Sequence, residues 1–88
     1  MGDLLLIDTD RSLTGQDGQA INPDHPGAGV PGRLAERLFD LGVGIDHVYV
    51  LQNTVSVRKP GGWDEATTSL VKDETEGFLR FYQAETIG

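Results

Sequence analysis

The sequence predicts an α+β domain: an antiparallel β-sheet of about four strands with two helices packed on one face, in the order β-β-α-β-β-α. Three observations point there. Residues 45–59 alternate in polarity about a fold-back at Gln52-Asn53. Leu34, Leu38 and Leu41 recur at helical spacing, and an apolar stripe of similar period follows Trp63. With 88 residues and 38% hydrophobic content, the chain reads as a single domain over 1–88 with one modest core.

Each element has its own justification. Leu4-Leu5-Leu6-Ile7 is an apolar run bounded by Asp3 and Asp8, too brief for a helix, and predicts a buried strand. Residues 9–18 are rich in Asp, Ser, Thr and Gly and read as a turn or hairpin loop. Gln19-Ala20-Ile21 is a weak returning strand. Residues 22–29 (NPDHPGAG) hold two Pro and two Gly, so a flexible loop is expected there. Pro31 suits the first turn of a helix running to about Leu41, with Gly42 or Gly44 supplying the stop.

A reversal at Gln52-Asn53 sets Leu51 opposite Thr54, Val50 opposite Val55, Tyr49 opposite Ser56, Val48 opposite Val57 and His47 opposite Arg58. Side chains alternate across a strand, so the four valines share one face and the more polar pairs share the other. Gln-Asn lacks the Gly of a tight primed turn, which predicts a loop looser than two residues. Pro60-Gly61-Gly62 ends the hairpin. Trp63-Asp64-Glu65 opens a long helix with both carboxylates in its first turn. Trp63, Ala66, Thr67, Leu70, Glu74, Gly77, Phe78 and Phe81 fall on one side. Glu74 conflicts with that stripe, either reaching solvent at the edge of the core or remaining a buried carboxylate.

Charge narrows the partners. Fourteen Asp and Glu against seven Lys and Arg leave a net −7, with the basic residues scattered. Such a surface repels phosphate backbones and anionic membranes and favours a soluble monomer. There is no Cys, which removes disulfides, thiolate ligands and a cysteine nucleophile. Nothing reads as a charged leader with an apolar stretch behind it, so a cytoplasmic location is the default expectation.

Several constellations invite a chemical reading. Residues 4–14 are similar to the first motif of haloacid-dehalogenase-type phosphatases, in which Asp8 would be the nucleophile and Asp10 the acid and base. Arg11 stands where that family has Gly, and only Lys59 and Lys72 are available to neutralise a phosphate. A strand followed by an acidic turn is the simpler account. Asp8, Asp10 and Ser12 also alternate as in a calcium loop, but Leu13 and Gln19 occupy the positions that need Gly and a bidentate Glu. His25 and His47 share no metal-ligand spacing. Gly27, Gly29 and Gly32 spell G-x-G-x-x-G without the preceding strand that a dinucleotide site requires. No catalytic, cofactor or metal residue is therefore assigned. The best candidate site is the polar side of the hairpin, where Tyr49, Leu51, Ser56 and Arg58 have the aromatic-plus-Arg character of a protein contact surface.

From about Val30 onward the chain resembles the N-terminal domain of NifU/Nfu-type iron–sulfur scaffold proteins. The matching residues are Leu34-Ala35-Glu36-Arg37-Leu38-Phe39 closing in Gly42-Val43, the valine hairpin, and Trp63-Asp64-Glu65 opening a helix that ends in Phe78 to Phe81. Asp8-Thr9-Asp10-Arg11 departs from the family's strand entry. Family members carry their cluster on a separate Cys-x-x-Cys domain. The resemblance thus implies a stand-alone accessory domain that is not an enzyme, has no cofactor, and makes a protein–protein contact within iron–sulfur assembly. The rival expectations are a small phosphatase-like unit using Asp8 and Asp10, and an acidic, salt-tolerant domain without a dedicated partner.

Overall fold

The computed structural model describes residues 2–9, 13–14 and 17–87, with side chains as far as Arg80. The elements follow the expected order: β1 (Leu4–Asp8), β2 (Gln19–Ile21), α1 (Gly29–Asp40), β3 (His47–Leu51), β4 (Thr54–Arg58) and α2 (Glu65–Ile87). The strands form one antiparallel sheet in the spatial order β1-β4-β3-β2.

The β3–β4 hairpin has the register that alternation demands, from His47 opposite Arg58 to Leu51 opposite Thr54. Val48, Val50, Val55 and Val57 are fully buried in one cluster with Leu34, Ala35 and Leu38 of α1 and Val71, Phe78 and Leu79 of α2. Both helices therefore cover the valine face, and hydrophobic burial there is the main driving force for the fold. The loop is tighter than expected. Only Gln52 and Asn53 separate the strands, and Gln52 takes a positive φ of 53°. The chain after β1 holds this turn. The Thr9 amide donates to the Asn53 carbonyl (2.8 Å), the Leu13 amide to the Gln52 carbonyl (2.7 Å), and the Gln52 amide to Thr14 Oγ1 (2.7 Å). Three long-range hydrogen bonds thus offset a conformation that would otherwise favour Gly.

β1 is a strand, but the structure corrects the expectation that its whole run is buried. Ile7 faces the core, whereas Leu4 and Leu6 are 52% and 62% exposed. The reason is position. β1 is at the sheet's edge and the helices cover one face only, so alternate residues must point to solvent.

α1 begins two residues earlier than expected, at Gly29. Pro31 is then its third residue, still among the first-turn positions whose amides lack helical partners. No side chain of Ala28 caps the helix. Gln19 of β2 takes over: its Oε1 accepts from the Ala28 amide (3.0 Å) and its Nε2 donates to the Ala28 carbonyl (3.1 Å). The Pro/Gly segment between them is folded on an Asn22 turn, with Asn22 Oδ1 accepting from the amides of Asp24 and His25 at 2.9 Å each. Gly27 then lies against Gly32, where an added Cβ would come within 2.5 Å of the Gly27 carbonyl carbon. The glycine string is a device for close backbone approach. At the other end, Gly42 adopts φ 71° and its amide donates to the Phe39 carbonyl (3.3 Å), the expected stop.

Asp64 caps α2 rather than entering it. Its carboxylate accepts from the Thr67 amide at 2.7 Å, while its own amide donates to Thr67 Oγ1 at 3.3 Å, a reciprocal capping box. The apolar stripe is correspondingly rotated from the expected one. Val71, Thr75, Phe78 and Leu79 are buried, whereas Ala66, Leu70 and Gly77 are exposed. The Phe81 side chain lies outside the described residues. Trp63 precedes the helix and is held separately, its indole N–H donating to the Asp3 carbonyl at 2.9 Å. Glu74 lies beside the stripe, half-buried, and pairs with Arg37 of α1 at 3.2 Å. Arg37 in turn stacks over the Phe78 ring at 5.6 Å, so the two helices are joined by a charge pair and a cation–π contact.

Candidate interaction surface

The sheet face opposite the helices is open. Pairing across the strands sets out its rows: Leu6, Ser56, Tyr49 and Ala20 lie side by side, flanked by Leu4, Arg58 and His47 on one side and Asp8, Thr54 and Leu51 on the other. All four predicted residues, Tyr49, Leu51, Ser56 and Arg58, are on this face. Tyr49 and Leu51 are 38% and 37% exposed, and Ser56 is half-buried between Leu6 and Tyr49. The small neighbours of Tyr49 set its pose. Ser56 and Ala20 flank it, and its hydroxyl lies over Gly18, where any Cβ would meet it at 2.7 Å.

Arg58 is engaged on its own chain. Its Nε and Nη2 donate to the two carboxylate oxygens of Asp46 at 2.9 and 3.2 Å, a bidentate pair. The hydrogen bond from Arg58 is the main reason the Asp46 carboxyl is held below its usual value, and the same bond raises the Arg58 guanidinium. The Arg58 guanidinium is therefore fixed in direction at the rim of the face.

Leu4 and Leu6 belong to this surface and the sequence reading missed them. Together with Tyr49 and Leu51 they make its apolar part. An unbroken Leu-Leu-Leu-Ile run carries no alternation, so only the strand's neighbours reveal which side chains face out.

The other candidates are placed as follows. Asp8 ends β1 on the open face and accepts from Thr54 Oγ1 at 3.2 Å. Asp10, Arg11 and Ser12 lie outside the described residues, and with them the Asp8–Asp10 constellation. His25 is in the Asn22 turn, with its Nδ1 3.2 Å from Asn22 Oδ1, and His47 starts β3. Among the described residues no three His, Asp or Glu side chains gather as a metal site would require. A cavity of about 430 Å³ lies between the loop after β2 and α1, lined by Ile21, Pro23, Pro26 and Phe39 with Arg33 and Glu36. Its volume is at the small end of ligand pockets. One cation beside two carboxylates, Glu36 and Asp40, makes it no anion cradle, although the glycine string borders it.

No family model matches this chain, and no curated protein or solved structure does either. The resemblance to NifU/Nfu proteins gains no support from these comparisons. Among the described residues, no helix is long and apolar enough to cross a membrane.

Proposed function

We propose that the domain is a protein-interaction module that contacts its partner through the open sheet face. The observation that carries this reading is the set of Leu4, Leu6, Tyr49 and Leu51, exposed together on one side while the valine side is fully covered. Isolated surface leucines are ordinary, but aligned large apolar side chains around an aromatic residue are the composition of an interface centre. Arg58 and Asp46 form part of its polar rim. The net −7 favours a partner with a basic rim around an apolar centre.

Site-directed photo-crosslinking in the source cell tests it. A photo-reactive phenylalanine at Leu51 should capture a discrete partner, and one at Asp73, exposed on α2, should not. Tyr49→Ala should reduce the capture from position 51. Equal capture from both positions, or capture indifferent to Tyr49→Ala, overturns the assignment of this face.

A further inference from the structure

We propose that two copies of this chain pair through the outer edge of β1, antiparallel and centred on Leu6, to join their sheets into one of eight strands. Among the described residues no strand pairs with that edge. Thr9 donates to Asn53 and Lys59 donates to Asp3, so the odd-numbered residues of β1 bond to β4. In an antiparallel ladder the alternate residues, Leu4, Leu6 and Asp8, then direct their amides and carbonyls away from β4. Among the described residues, β4 is the only strand beside β1. Edge strands are guarded by charged side chains, Lys above all, by Pro, by a bulge or by shortness. β1 has five residues with no Lys, Pro or bulge, its one charge is Asp8 at the end, and two of its side chains on the open face are exposed leucines. The opposite edge, β2, has only three residues.

A two-fold register fits a second copy. A two-fold axis at Leu6 sets Leu6 against Leu6 of a second copy and Leu4 against its Asp8, while Leu5 meets its Ile7 on the helix side. Every outward backbone group of β1 then finds a partner. Centring on Asp8 instead would set two carboxylates face to face, and centring on Leu4 would leave Asp8 unpaired. The Leu6 register keeps the two Asp8 carboxylates about 14 Å apart along the strands. This replaces the monomer expected from net charge. The contact is one strand wide, which belongs to the small, transient class of interfaces. Leu4 and Leu6 also belong to the proposed partner surface, but the pairing uses their backbone groups and leaves the Tyr49 side chains open on both copies.

Because the chain has no Cys, single cysteines report the register cleanly. Leu6→Cys should oxidise to a disulfide-linked dimer, since directly opposed residues place Cα atoms about 5.5 Å apart, inside the disulfide range. Leu4→Cys, exposed on the same face, should remain monomeric under the same oxidation, because its equivalents are about 14 Å apart. In sedimentation equilibrium the unmodified chain should rise toward twice its monomer mass with concentration. Leu6→Pro, which removes an outward amide and no hydrogen bond to β4, should not rise. Equal cross-linking at both positions, none at Leu6→Cys, or a mass that stays monomeric at all concentrations overturns the proposal.

Discussion

At the residue scale, Asp64 shows how one side chain sets an element. The residue caps α2 with its carboxylate, and the Thr67 amide followed by the Thr67 hydroxyl are the chief causes that lower its carboxyl below the ordinary value of 3.8. A carboxyl whose folded value is depressed contributes stability that is present above the unfolded value and is lost as pH falls through the folded one. The exposed position of Asp64 screens the effect, so the expectation is one of direction. Asp64→Ala should lower the melting temperature at neutral pH, because the N-terminal amides lose their acceptor. Asp64→Asn keeps the acceptor. It should melt close to the unmodified chain at neutral pH but lose less stability between about pH 5 and pH 2. Thermal melts across that range check both; an Asp64→Ala melt unchanged at neutral pH would show that the cap contributes nothing. The same residue explains why the α2 stripe was misread. Counting Trp63 and Asp64 as helical turns the wheel. Thr75, whose hydroxyl donates to the Val71 carbonyl at 2.8 Å, gave no apolar signal to correct it.

At the element scale, what was legible depended on how local the determining contacts are. The hairpin could be read from alternation alone, because its partners are separated by a single turn and a slip would mix valines with polar residues. The fold of the Pro/Gly segment could not. It depends on Gln19 clamping Ala28 and on Gly27 touching Gly32, contacts that leave no periodic trace. The candidate surface was half legible for the same reason: β3 and β4 declared their outward residues, and β1 did not. Two glycines in the two helices now carry opposite expectations. Gly77 is an exposed residue inside α2 with nothing within 4 Å of an added Cβ, so Gly77→Ala should stabilise by about 0.8–1.0 kcal/mol. Gly32→Ala drives its Cβ into the Gly27 backbone, displaces the loop and should destabilise by about 1–3 kcal/mol. Denaturant titrations of the two variants decide it. A destabilised Gly77→Ala or a neutral Gly32→Ala would contradict the packing described.

At the scale of the whole molecule, charge sets the response to salt. Fourteen carboxylates and seven basic side chains are confined to a body with a radius of gyration of 12.2 Å. At about 0.01 M salt the screening length is roughly 30 Å, so every carboxylate repels every other; near 1 M it is roughly 3 Å and only touching charges interact. Among the described residues, the pairs Arg37–Glu74 and Arg58–Asp46 weaken over the same range. They are short-ranged and partly exposed, and exposed pairs contribute little. Relief of the excess negative repulsion should outweigh their loss, because it acts over many more pairs. The melting temperature should therefore climb from low to high sodium chloride, steeply at first and levelling once the screening length falls below the spacing of surface carboxylates. A melting temperature that falls across this range would mean that the interhelix and rim pairs outweigh the net charge. The same screening acts between chains that each carry −7, so association through the β1 edge should strengthen with salt as folding does.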